Sequence, residues 1–165
     1  MTPAQIAKSD TEHAHQAAVF AWCAIAKLHG FNVANQWAEN GQLIREYYPK
    51  PIPELHWYHA IPNGGTRGDD AKTRAIRGGA LKAEGVRAGV SDTFLPVRRG
   101  EFNGLYIEMK KPSEKPVKAT SKGGVSDEQR SFGEFVVSQG FGFVVCYSWK
   151  EAVENLIAYL NWGSK

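Results

Sequence analysis

Residues 85–110 read GVRAGVSDTFLPVRRGEFNGLYIEMK. Asp92 to Val97 and Leu105 to Lys110 have the composition of strands. Between them lies Arg98-Arg99-Gly100-Glu101-Phe102-Asn103-Gly104, which has that of a turn, so the stretch predicts an antiparallel hairpin. Side chains at i and i+2 share one face of a strand, so Glu108 and Lys110 point one way and Met109 the other, toward a core. With the turn centred near residues 100 and 101, paired positions sum to about 201. Asp92 then lies across from Met109 and within one position of Glu108, close enough for the two carboxylates to share a cation. A slip of one residue would separate their faces.

Around this hairpin the rest of the chain alternates between helix and strand signals. Ser9-Asp10-Thr11-Glu12 has the form of a capping box, and Ala14, Ala18, Ala21, Trp22, Ile25 and Leu28 follow at helical spacing until Gly30, predicting a helix over 10–29. Periodicity fades from Phe31 to Pro53, and Pro49, Pro51 and Pro53 mark a surface loop. His56 to Ile61 reads as a strand closed by Pro62-Asn63-Gly64-Gly65, and Asp69 to Glu84 as a helix weakened by Gly78-Gly79. Lys111 to Val125 is a basic segment rich in Ser, Pro and Gly. Ser126-Asp127-Glu128-Gln129 is a second capping box, before Phe132, Phe135, Val136 and Gln139. Ser148-Trp149-Lys150-Glu151 is a third, before Val153, Leu156, Ile157 and Leu160. Phe141 to Tyr147 is apolar throughout, as expected of a strand covered on both faces, and is read as the sheet centre. The expected fold is α/β: a small mixed sheet flanked by helices, one domain over residues 1–165.

Composition narrows the function. The 165 residues are 42% hydrophobic and 22% charged, enough for one core. The longest apolar run, Ala17 to Ala26, is too short to cross a bilayer, and no leader opens the sequence, so a soluble cytoplasmic protein is expected. Cys23 and Cys146 lie in apolar segments and read as reduced core thiols. His13 and His15 diverge on a helix, and His56 and His59 face oppositely on a strand, so neither pair has zinc-ligand geometry. No phosphate-binding loop or nucleophile elbow is present. Trp22, Trp149 and Trp162 are read as helix core. Arg67 to Lys122 carries 13 Lys/Arg against 7 Asp/Glu, while the rest of the chain is net acidic. A polyanion contact would fall there, with Arg74, Arg77, Lys82, Arg87, Lys115, Lys118 and Lys122 as candidates, and Asn63, in the turn before the basic helix, is a further one.

Asp92 and Glu108 together form a hard oxygen site of the kind Mg²⁺ or Mn²⁺ prefers, and Lys110 beside them can stabilise charge building up on a phosphate. At these residues the sequence resembles a known family. Gly85-Val86-Arg87-Ala88-Gly89-Val90-Ser91-Asp92, then Ile107-Glu108-Met109-Lys110, Ser126-Asp127-Glu128-Gln129 and Gln139-Gly140-Phe141 are similar to the virus-type replication-repair nuclease (VRR-NUC) domain, a branch of the PD-(D/E)XK nucleases. The resemblance spans Glu12 to about Leu160 and leaves Trp37 to Glu54 unmatched. Ser91 stands where the superfamily's naming motif has proline.

The resemblance implies a restriction-endonuclease-like core and a Mg²⁺- or Mn²⁺-dependent DNA endonuclease acting on branched DNA such as four-way junctions, in phage or bacterial replication and repair. It implies that Asp92, Glu108 and the Met109 carbonyl hold the metal, that Lys110 is the catalytic lysine, and that Glu12 and Gln129 complete the site. Glu12 and Gln129 also have a sufficient role as capping-box residues. A homodimer is expected, with Trp37 to Glu54 as insertion or interface. The alternative is a non-catalytic nucleic-acid-binding module on the same fold.

Overall fold

A computed structural model describes residues 1–44, 49–62, 79–118 and 121–163. The order of elements is α1 (Pro3–Ile6), a 3₁₀ turn (Ala7–Ser9), α2 (Glu12–His29), α3 (Phe31–Asn40), a 3₁₀ turn (Pro53–Trp57) and β1 (His59–Ala60). After a helical stretch over 79–83 come β2 (Thr93–Leu95), β3 (Leu105–Met109), α4 (Asp127–Ser138), β4 (Gly142–Cys146) and α5 (Trp149–Asn161).

The hairpin forms, with Thr93 opposite Ile107 and Phe94 opposite Tyr106. Paired positions therefore sum one lower than the expected register. Continued by one step, the register sets Asp92 opposite Glu108 rather than Met109. The correction strengthens the juxtaposition, because directly opposed residues share a face.

The sheet order is β1-β2-β3-β4, with β4 parallel to β3 and joined to it through α4. Among the described residues β4 is thus an edge strand, not the centre; β3 is central and carries the buried pattern. The apolar run of β4 arises because α4 packs on one face of it and α5 on the other. Helical cover made it apolar, not two strand neighbours. One face of the sheet, with Leu95, Leu105, Ile107, Met109 and Cys146, joins Val19, Trp22 and Leu156 in the main core. The opposite face carries Phe94, Tyr106 and Glu108, with Phe132 of α4 edge-on to Tyr106 at 5.2 Å.

Several local expectations are corrected. Helix α2 is capped by Thr11, whose side chain accepts from the Ala14 N–H, and not by Ser9, because Asp10 is left-handed (φ 53°) and closes the preceding turn. Phe31–Asn40 is a helix, not a loop. Gly30 redirects the chain, so that Val33, Ala34 and Ala38 pack back on α2, with the Trp22 indole donating to Asn35 Oδ1 at 2.9 Å. The strand expected over His56 to Ile61 shrinks to His59–Ala60, since Leu55 and Tyr58 are buried at the threefold spacing of a 3₁₀ turn.

Leu28, Phe135 and Trp162 are exposed; Trp162 lies beyond the last turn of α5, whereas Trp22 and Trp149 are core. The Ser148 box is one-sided. Ser148 caps the Glu151 N–H, but the Glu151 carboxylate accepts from the Tyr147 N–H and from Lys115 instead. Of the helix expected over Asp69 to Glu84, only 79–83 falls within the described residues and is helical. Both cysteines are free and buried, as read from the sequence.

Buried His15 ties the first long helix to the last. Its Nδ1 accepts from the Trp149 N–H at 3.2 Å, so Nε2 carries the proton and donates to Asp10 Oδ1 at 2.9 Å.

Candidate active site

Five side chains singled out in the sequence meet at one cavity of about 320 Å³: Glu12, Asp92, Glu108, Lys110 and Gln129. They arrive from four elements. Asp92 precedes β2, and its Oδ2 accepts from the Met109 N–H at 2.8 Å, which anchors it across the hairpin. Glu108 lies on the sheet face opposite Met109, and Lys110 follows on the same side just past the end of β3. Glu108 is 1% exposed and Lys110 7%. Met109 itself is buried in the core, and its carbonyl lies on the backbone between the two charged residues.

Glu12 stands at the first position of α2. With Thr11 as the cap, Glu12 has no capping-box role, and its carboxylate lines the cavity, where the helix N-terminus favours negative charge. Gln129 does two things with one amide. Its oxygen accepts from the Ser126 N–H at 3.0 Å to complete the capping box, and its nitrogen donates in a short bond to Glu108 Oε1. The capping geometry therefore aims the N–H at the carboxylate.

Lys110 Nζ lies 3.0 Å from the same Glu108 oxygen. The other, Oε2, is buried with no hydrogen-bond partner among the described residues. Burial, reinforced by the charge of Asp92, pushes the Glu108 carboxyl up to about 7 even though Lys110 pulls it down. Glu12 is raised by burial and by Glu114 and Asp92, against the pull of Lys110. For Lys110, burial alone would lower the ammonium, but the hydrogen bond and charge of Glu108 outweigh it and leave the group above its ordinary value. The cavity thus sets a protonated lysine among the three carboxyl groups Glu12, Asp92 and Glu108.

As they stand, no three His, Cys, Asp or Glu side chains among the described residues converge at metal-ligand distance; an ammonium and an amide sit on Glu108 Oε1 instead. The donor set nevertheless fits a hard divalent cation: oxygen-only ligands, mutually repelling carboxylates, and one buried carboxylate oxygen without a partner.

The rest of the lining comes from Leu81, Lys82 and Val86 to Val90, of which Lys82 and Arg87 were anticipated as contacts and Leu81, Val86 and Val90 were not. Two glycines shape it. Gly85 (φ 94°) ends the helical stretch, and Gly89 (φ 86°) lies so close to α4 that a Cβ there would come within 2.7 Å of the Glu128 backbone. The glycine spacing was visible in the sequence; what it packs against was not. Ser91, next to Asp92, is fully buried, and its hydroxyl also has no partner among the described residues.

Of the other anticipated contacts, Lys115 pairs with Glu151 at 2.6 Å and Lys122 with Asp127 at 2.9 Å, both at the surface, and Lys118 is exposed near Lys115. Asn63, Arg74 and Arg77 lie outside the described residues. In the unmatched segment, Leu43 and Ile44 are exposed, and Tyr47 and Tyr48 lie outside the described residues.

No protein-family model matches the chain, and no curated protein does. Among solved structures, a VRR_NUC domain protein superposes with a TM-score of 0.57 over 92% of this chain and 88% of its own, at 21% identity. The likeness establishes the fold: a mixed α/β domain with a four-stranded sheet flanked by helices, shared with that protein. No helix among the described residues is long and apolar enough to cross a membrane.

Proposed function

We propose that this protein is a Mg²⁺- or Mn²⁺-dependent deoxyribonuclease that hydrolyses phosphodiester bonds in branched DNA, including four-way junctions, during replication or repair in the cytoplasm of a bacterial or phage-infected cell. The reading rests above all on Glu108, a nearly fully buried carboxylate with one oxygen unpartnered, facing a cavity it shares with Asp92 and Lys110. The VRR_NUC name of the structural neighbour supports the nuclease class.

Asp92, Glu108 and the Met109 carbonyl would hold the cation, with Glu12 completing the acidic wall. When bound, the cation supplies Lewis acidity toward a phosphoryl oxygen and lowers the pKa of a water. Lys110, held protonated by Glu108, acts as a fixed positive charge for the transition state and not as a base. Gln129 orients Glu108 through its N–H. Lys82 and Arg87 contact flanking phosphates, and a homodimer sets two such centres about a two-fold axis, matching the symmetry of a junction.

The test is incubation of the full chain with labelled single strands, duplexes, flaps and four-way junctions in Mg²⁺, Mn²⁺ or EDTA. Branched DNA is cut in metal and not in EDTA. Asp92→Asn, which keeps an oxygen for the Met109 N–H but loses the charge, abolishes cutting while DNA is still bound. Absence of cutting in either metal, or full activity in Asp92→Asn, overturns the reading.

A further inference from the structure

The rest of the lining of the acidic cavity is not what a phosphate alone would call for. Leu81, Val86 and Val90 are half-buried and line the cavity together with the small residues Ala88 and Gly89. Apolar side chains turned toward water-filled space are unfavourable, at about 25 cal/mol per Å², and nothing of a phosphate's charge or hydrogen bonding would be met by them. A base face or a deoxyribose would be.

The arrangement along this wall has a nucleotide's own alternation. Leu81 is followed by Lys82 and Val86 by Arg87, so two of the three apolar contacts are next in sequence to a cation lining the same cavity. Size agrees: a cavity of about 320 Å³ lies in the range of small-ligand sites, the scale of one nucleotide.

We infer that the cavity beside Asp92, Glu108 and Lys110 seats a single unpaired nucleotide, its base and sugar against Leu81, Val86 and Val90, so that DNA is engaged at the cleaved position as an unpaired strand. The seat rests on the nuclease reading for its purpose, since it presents the phosphate attached to that nucleotide to the carboxylates. It is sequence-tolerant, because any base offers an apolar face.

The test separates binding from cutting. In EDTA, the full chain is titrated against two fluorescent DNAs of equal length, one fully paired and one with a central unpaired 2-aminopurine nucleotide. The unpaired DNA binds about tenfold more tightly, the scale of burying one base face against aliphatic side chains, and the 2-aminopurine emission changes on binding.

The double variant Leu81→Gln/Val86→Thr keeps side-chain size while making the wall polar, and the preference falls to near one. Circular dichroism confirms that the variant is folded, and the single variant Val86→Thr gives an intermediate ratio. Equal affinity of the wild type for both DNAs, or a preference unchanged in the double variant, overturns the seat. The same DNAs are then incubated with Mg²⁺. A binding preference with no cutting leaves the seat standing and sinks the nuclease reading, whereas cutting of both DNAs with no preference sinks the seat alone.

Discussion

Replacing Glu108 by Gln should make the metal-free protein more stable at alkaline pH, although it removes half of a buried ion pair. The Glu108 carboxyl is raised from 4.5 to about 7, first by burial and then by Asp92, with the attraction of Lys110 already included in that balance. At 1.36 kcal/mol for each tenfold change in proton affinity, ionising it in the folded state costs about 3 kcal/mol. Between pH 4.5 and 7 the folded chain holds a proton that the unfolded chain has released, so stability falls as pH rises through that window and is flat above it.

The substituted amide is permanently neutral and of nearly the same shape as the carboxyl, and its oxygen still accepts from Gln129. Urea unfolding in EDTA should therefore show Glu108→Gln more stable than wild type by about 2–3 kcal/mol at pH 8, with the gap closing near pH 4.5. Adding Mg²⁺ should stabilise the wild type and not the variant, because binding to the folded state alone shifts its equilibrium. A variant less stable than wild type at pH 8, or a gap independent of pH, would refute the argument that this carboxylate is held at a cost for a cation.

Three further outcomes are expected. Gly89→Ala should lower stability by about 2 kcal/mol in urea melts, because the position is left-handed and its Cβ would press on the Glu128 backbone, displacing Gln129; a change within about 0.5 kcal/mol would contradict the packing. DNA affinity should fall steeply with salt, and Lys82→Ala and Arg87→Ala should each reduce the slope of log Kd against log salt by about one; a slope unchanged in both variants would move the phosphate contacts elsewhere. Light scattering should give a mass near twice 18.2 kDa. Deleting residues 42–48, which include the exposed Leu43 and Ile44, should lower it, and a monomer at micromolar concentration would remove the symmetric arrangement.

What was legible in the sequence is what short-range chemistry dictates. The alternation in Leu105 to Lys110 put Glu108 and Lys110 on one face and Met109 on the other, because strand pleating fixes that within a few residues. Ser126 and Gln129 announced a helix start, since both partners of the box lie within one turn. Hairpin register and alternation also brought Asp92, Glu108 and Lys110 together, whereas Glu12 and Gln129 joined them only through the resemblance.

The tertiary structure decided whatever depends on a distant partner. The hairpin register differs by one from the turn-centred expectation, and the fold sets it through Asp92 on the Met109 N–H and the pairing of Leu95 with Leu105. Phe31–Asn40 is helical because Val33, Ala34 and Ala38 have α2 to pack against, which its own faint periodicity does not reveal. An apolar strand reads the same whether strands flank it or helices cover it, so only the packing of α4 and α5 places β4 at the edge. Thr11 displaced Ser9 as a cap when Asp10 turned left-handed to close the preceding turn, and that freed Glu12 to face the cavity. Likewise Gly89, in the cavity lining with Leu81, Val86 and Val90, packs on the Glu128 backbone of α4, a contact between residues far apart in the chain that no local pattern encodes.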